Sequence, residues 1–222
     1  MRSGDGYCMQ FKAKLVSWNE IETWCDSIRE KVSLSFKPDT IVGISRGGLV
    51  PGRILSDMMW IKDLQSVKTE HWGLTAAVDG KASIKNRSVL FLEKKRVLLV
   101  DDITDTGESM TLAKEYISEF SPIEVRTAAL LHINRSKFVP DFYAEEIDNS
   151  NWTWFIFPWN IHEDLDNLSG RTMVSPMTTS ELKGALKNDY DLDIDNNVLE
   201  HVLTVMERTG RISKSGTRWK KS

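Results

Sequence analysis

The chain has 222 residues, 29 Lys and Arg against 32 Asp and Glu, 27% charged and 41% hydrophobic residues, and a net charge of −3. That length and apolar content suit one globular domain, with or without a small appendage, and exclude a globally disordered chain. No apolar run approaches the ~20 residues of a membrane helix, two cysteines cannot build a disulfide framework, and a mildly acidic chain is a poor general partner for polyanions. The opening MRSGDGYC lacks the apolar stretch of a secretory signal, and no zinc-type Cys/His spacing occurs. A reduced cytoplasmic setting, away from membrane, is therefore expected.

Residues 1–8 read as an extension, followed by a main domain over 9–170 and an appendage over 171–222. Lys14 to Trp18 reads as a short strand whose Ser17 can cap a helix. That helix runs from Trp18 to Leu34, with Ile21, Trp24, Cys25 and Ile28 at helical spacing. After Pro38-Asp39, Thr40 to Ile44 is a buried strand, interrupted by Ser45-Arg46-Gly47-Gly48 and followed by a helix from about Val50 to Met59. Two or three strands fall between Ser66 and Phe91, joined by a polar linker from Thr75 to Arg87. Arg96 to Val100 is the clearest strand, apolar enough for the middle of a parallel sheet. Asp101 to Gly107 reads as a loop, and Ser109 to Phe120 as a helix with Leu112, Ala113, Tyr116 and Ile117 inward. Val125 to His132, Phe142 to Ala144 and Trp154 to Phe157 supply the remaining strands. This alternation predicts an α/β fold, a parallel sheet flanked by helices, with ligands at the carboxyl ends of the strands.

The segment Val97 to Ser109 carries the strongest chemical signal. A buried strand delivers Asp101 and Asp102, then Thr104, Asp105, Thr106, Gly107, Glu108 and Ser109 lead into a helix. Hydroxyls, a glycine and a helix N-terminus make a phosphate cradle, whereas adjacent carboxylates suit sugar hydroxyls or Mg²⁺. An ordinary strand-to-helix turn needs one cap, not this hydroxyl-rich run.

The segment resembles the phosphoribosyl-diphosphate (PRPP) motif of type I phosphoribosyltransferases. Ser45 to Gly52 resembles the pyrophosphate loop of the 6-oxopurine branch, most closely the bacterial xanthine–guanine enzymes and their archaeal relatives; the likeness extends over roughly residues 12 to 165. It implies that Asp101 and Asp102 face the ribose hydroxyls, directly or through Mg²⁺, and that Asp105 lies near the base and mediates its proton. Thr104, Thr106, Gly107, Glu108 through its amide, and Ser109 would hold the 5′-phosphate. Ser45, Arg46, Gly47 and Gly48 would hold pyrophosphate, with a cis peptide at Ser45–Arg46. The family further implies PRPP and a purine base as partners and a homodimer or homotetramer.

Thr153 to Asn160 is aromatic-dense, and the resemblance makes Trp154 the residue stacking on the purine, Phe155 a backbone contact and Asn160 the reader of its 2-position. Core packing is the other reading of these aromatics. Two departures bear on substrate choice. Where the relatives carry a Lys-Pro pair, this chain has Ile133-Asn134-Arg135-Ser136-Lys137, so either Arg135 or Lys137 replaces the O6-reading Lys or that reading is lost. Asn160 replaces an Asp and offers both a donor and an acceptor. In the linker, Lys81, Lys85 and Arg87 could close over PRPP, or simply be a solvated basic loop.

From Arg171 the character changes. Thr178 to Glu181 offers a helix cap ahead of Leu182, Ala185 and Leu186, and Asp195 begins a second helix with Leu199, Val202 and Leu203. Gly210 ends it, and Arg211 to Trp219 reads as a hairpin. This appendage resembles a winged-helix module with two helices where a complete one has three. It could meet nucleic acid, or be an oligomerisation or lid element with a solvated basic end. A purine transferase and a PRPP-sensing regulator with such a module both fit the motifs, as does an adenine-specific transferase. A sensor needs the phosphate cradle alone, so Arg46, Asp105 and Trp154 favour the Mg²⁺-dependent enzyme of purine salvage, with 6-oxopurines preferred.

Overall fold

The computed structural model of the chain describes residues 11–71, 82–84 and 89–221. It divides into two compact units, Trp18–Asn151 and a second containing β1 (Lys12–Leu15) with everything from Trp152 onward. The first unit runs α1 (Trp18–Ser35), β2 (Thr40–Ser45), α2 (Leu49–Met58), β3 (Leu64–His71), β4 (Ala82–Ile84), β5 (Arg96–Thr104), α3 (Glu108–Ser118), β6 (Glu124–Ile133) and β7 (Phe142–Ile147). Its sheet has the order β4-β3-β2-β5-β6-β7; β4 is antiparallel to β3 and the other pairings are parallel.

The run Val97 to Val100 is wholly buried, as the middle of a parallel sheet covered on both faces demands. Helix α1 buries Ile21, Trp24, Cys25, Ile28 and Val32, and Trp24 Nε1 donates to Glu145 Oε1 on β7 at 2.7 Å. In α3, Met110 joins Ala113, Tyr116 and Ile117 on the buried face, where Leu112 was expected. A correction also falls on β5. It continues through Thr104, so Asp101 and Asp102 are strand residues, because β6 keeps pairing alongside them (Asp101↔Ala129, Ile103↔Leu131, Thr104↔His132). The expected linker contains β4, while Lys81, Lys85 and Arg87 lie outside the described residues.

The second unit pairs β1 in parallel with β8 (Thr153–Ile156) and continues through α4 (Ile161–Thr172), α5 (Thr179–Tyr190), α6 (Asn196–Arg208), β9 (Ile212–Ser215) and β10 (Arg218–Lys221). Helix α4 was absent from the sequence reading. Its inward face mixes Leu165 and Leu168 with Asp164, Ser169 and Thr172, which masks the apolar period. One core joins Ala13, Ile156, Leu165 and Leu168 to Leu182, Leu186, Leu199, Val202, Ile212 and Trp219. The units therefore part at 17/18 and 151/152, and the expected boundary near residue 170 falls inside a shared core. Among the described residues, no helix is long and apolar enough to cross a membrane.

Helix α5 opens on a capping box. Thr178 Oγ1 accepts from the Glu181 N–H at 3.2 Å, and Glu181 Oε2 accepts from the Thr178 N–H at 2.8 Å. Replacing Thr178 by Ala should cost about 1 kcal/mol and lower the melting temperature by a few degrees, whereas Thr178→Ser should melt close to the parent. Thermal denaturation followed by circular dichroism checks this; identical melting of the Ala variant would deny the cap its role.

Candidate active site

The parallel register of β2 on β5, with Gly43 opposite Val100, brings the β2–α2 loop beside the carboxyl end of β5. Contact there is close enough to forbid side chains. A Cβ on Gly47 would lie 2.0 Å from Asp102 Oδ2, and one on Gly48 would lie 2.3 Å from the Val100 carbonyl and 2.9 Å from Asp101 Cα. The Ser45–Arg46 peptide is cis, as expected. Ser45 is half-buried and Arg46 is exposed.

Asp101 and Asp102 are 7% and 8% exposed. The Asp102 N–H donates to Asp101 Oδ1 at 3.0 Å, yet burial, and next the charge of Asp102, push the Asp101 carboxyl well above the usual carboxylate range. Two neighbouring buried carboxylates are poised for hydroxyl donors or a cation. Among the described residues no group of three or more His, Cys, Asp or Glu could hold a metal. A pair of hard oxygen donors fits Mg²⁺, which takes one or two carboxylates and completes its shell with water and phosphate.

Beyond the pair, the segment splits by direction. Thr104 is 2% exposed, and its Oγ1 stands 3.0 Å from Nδ1 of the buried His132. Burial, against the opposing charge of Glu146, lowers the His132 pKa and favours the neutral ring. The expected phosphate contact from Thr104 is thus turned inward. Thr106 Oγ1 accepts from the Glu108 N–H at 3.4 Å, and Ser109 Oγ accepts from Thr69 Oγ1 at 3.3 Å. Gly107, at φ +83°, caps α3; a Cβ there would meet Phe138 Cβ at 2.5 Å and Ser136 Oγ at 2.7 Å. A left-handed glycine thus seats the loop against the β6–β7 connection, at the positive end of the α3 dipole.

Asp105 is held by a two-pronged guanidinium contact: Arg135 Nε donates to Oδ1 and a terminal nitrogen to Oδ2, both at 2.7 Å. Sequence reasoning named Arg135 only as a stand-in for a missing lysine, and it missed His132 altogether. The available signal for His132 was a lone histidine closing an apolar strand. Asn134 Oδ1 accepts from the Asn149 N–H at 3.0 Å, so that side chain braces the loop.

The expected base-binding residues belong to the second unit. Trp154 lies on β8 against the core, with its Nε1 buried and without a hydrogen-bond partner among the described residues; Phe155 follows it, half-buried. Asn160 occupies the N-cap position of α4 without a side-chain capping bond. Trp159 stacks on Phe157 at 4.8 Å and 9°, a packing role. The first unit thus gathers Ser45 to Gly48, Asp101, Asp102 and Asp105 to Ser109 around one sheet end, and Trp154, Phe155 and Asn160 are residues of the second unit.

Residues 11–165 match the phosphoribosyl transferase domain family. A xanthine-guanine phosphoribosyltransferase from Idiomarina loihiensis is 27% identical over 149 residues, covering 66% of this chain and 86% of that protein. One from Cereibacter sphaeroides is 23% identical over 158 residues, with coverage of 66% and 86%. Among solved structures, the purine phosphoribosyltransferase from Pyrococcus horikoshii is similar with a TM-score of 0.57 and 28% identity, covering 66% of this chain and 93% of that one. The chain belongs to the phosphoribosyl transferase domain family.

The raised Asp101 pKa gives a signed prediction. Because ionising Asp101 is costlier in the fold than in the unfolded chain, its stabilising contribution is full below the ordinary carboxylate pKa and is lost as pH rises through the raised value. In metal-free protein, Asp101→Asn should therefore melt a few degrees above the parent at pH 8 and nearly level with it at pH 4. Parallel melting at both values would remove the buried charge from the account.

Proposed function

We propose that this member of the phosphoribosyl transferase family transfers the phosphoribosyl group of PRPP to a purine base, giving a nucleoside monophosphate and pyrophosphate in purine salvage. The substrates are 6-oxopurines: hypoxanthine, guanine or xanthine. The observation that carries this reading is the contact of the Gly47-Gly48 backbone with the Asp101–Asp102 end of β5. It sets a loop of pyrophosphate-binding pattern beside two carboxylates and the N-terminus of α3. The names of the Idiomarina and Pyrococcus relatives support the purine assignment.

The 5′-phosphate lies on the Thr106 and Ser109 hydroxyls, Gly107 and the Glu108 amide, where the α3 dipole favours an anion. Asp101 and Asp102 accept from the ribose hydroxyls or hold Mg²⁺, which when bound supplies positive charge to the leaving pyrophosphate. Arg46, with the backbone of Ser45, Gly47 and Gly48, takes that same anion as the bond to C1′ breaks and oxocarbenium-like charge grows on the sugar. Asp105, oriented by Arg135, stands at the base and carries its proton. Thr104 and His132 brace the strand behind them. The family resemblance further assigns Trp154 to the purine face, the Phe155 backbone to its edge and the Asn160 amide to its 2-position. Assembly is as a homodimer or homotetramer, for which the exposed Leu34 and Trp60 offer apolar surface.

Product formation with PRPP and Mg²⁺ against adenine, hypoxanthine, guanine, xanthine, uracil and orotate tests the assignment. Turnover of one or more 6-oxopurines is expected; adenine or a pyrimidine as the sole substrate, or no turnover with any base, would contradict it. Asp105→Asn should lower kcat by about a hundredfold or more while leaving PRPP affinity near the parent value. Unchanged kcat would take Asp105 out of the chemistry.

A further inference from the structure

Much of the second unit lies beyond residue 165, where the family match ends, and its construction points to another ligand. Helices α4, α5 and α6 pack on one another and are followed by the β9–β10 hairpin. Between α4 and α5, Met177 bridges Trp219 of β10 in both directions, with N–H···O distances of 2.9 and 2.7 Å. Helix, bridging residue, helix, helix, hairpin is the order of a complete winged-helix module, α4 supplying the third helix that the sequence reading lacked. In helix-turn-helix proteins, the second helix of the pair enters the major groove.

The hairpin is fixed to the helices. Trp219 is 1% exposed, and its Nε1 donates to Thr179 Oγ1 at 3.0 Å. Lys214 stands over its ring at 4.0 Å and pairs with Glu200 at 3.1 Å. Helix α6 turns Leu199, Val202, Leu203 and Met206 inward. The opposite row, at spacings of four, three and four, is Asn197, His201, Thr204 and Arg208, without a carboxylate. Asn197, His201 and Arg208 are exposed, with His162 of α4 beside His201 at 5.8 Å between rings.

Many of the unit's acids are engaged within it. Asp166 pairs with Arg211, Glu181 with Arg218 and Asp191 with Lys187, while Asp195 caps α6 and Asp189 accepts from Thr172. Arg208, Lys220 and Lys221 are exposed and have no ion-pair partner among the described residues. The outward face therefore offers amide, imidazole and guanidinium groups suited to base edges, flanked by cations suited to phosphate.

We propose that this unit binds double-stranded DNA, with the Asn197–Arg208 row of α6 toward base edges in the major groove and Lys220 and Lys221 on phosphates. The inference is independent of the transferase reaction, since none of these residues belongs to the PRPP site. Fluorescence anisotropy of the full chain with a labelled mixed-sequence duplex of about 30 base pairs, across a salt series, is the test. Saturable binding at low salt that weakens as salt rises is expected. Lys220→Glu with Lys221→Glu should weaken it by about tenfold or more, with PRPP binding and melting temperature unchanged. Asn197→Ala should reduce preference for duplexes enriched by selection from a random pool while leaving mixed-sequence affinity near the parent value. Absence of duplex binding at low salt, binding indifferent to the double variant, or tighter binding of single-stranded RNA of equal length would each overturn the proposal.

Discussion

The structure depends on how closely the β2–α2 loop approaches the end of β5. Parallel pairing puts Gly43 opposite Val100, so the next residues of both strands emerge side by side, and the space between them admits backbone only. A Cβ on Gly47 would fall inside the Asp102 carboxylate, while Gly48 lies against Val100 and Asp101. The glycines are therefore a packing requirement before they are a binding feature. Shielding by this loop accompanies the burial of Asp101 and Asp102, and burial beside a like charge makes Asp101 hard to ionise.

A pair so placed is costly to the ligand-free fold, and under the proposed function sugar hydroxyls or a cation offset that cost. The other polar groups nearby have been given partners. Asp105 is straddled by Arg135, Thr104 is tied to His132, and Gly107 lets the loop settle on Ser136 and Phe138. The site thus combines a buried carboxylate pair, one of which burial makes hard to ionise, with a braced surround, the preorganisation that positioning catalysis needs.

How much of this was legible in the sequence varied with the physical signal. The run Val97 to Val100 reads plainly as a buried strand, and the family resemblance carried by the motifs at 45–48 and 101–109 implied the cis peptide at Ser45–Arg46. The helix caps at Thr178 and Asp195 were equally readable, because capping is local chemistry. What escaped was non-local. β5 runs past its apolar stretch because β6 continues to pair with it, and sequence patterning carries no trace of that partner. α4 was hidden by the buried polar residues Asp164, Ser169 and Thr172. Thr104 looked like a phosphate ligand until its register opposite His132 turned it inward, and Arg135 met Asp105 only through the fold. The compact units part elsewhere than near residue 170 for the same reason: β1 and β8 share a core with helices far along the chain, although the family match ends at residue 165.

That the glycine loop and the carboxylate pair form one PRPP site is the central claim. Calorimetric titration of PRPP, in the presence of Mg²⁺, into the parent protein and into Gly47→Ala tests it most directly, with circular dichroism showing that the variant retains its fold. The added methyl must displace the loop or the Asp102 carboxylate, so PRPP affinity should fall by about tenfold or more, equivalent to roughly 1.4 kcal/mol. Parent-like affinity in a folded Gly47→Ala protein would contradict the claim and detach the loop from the site.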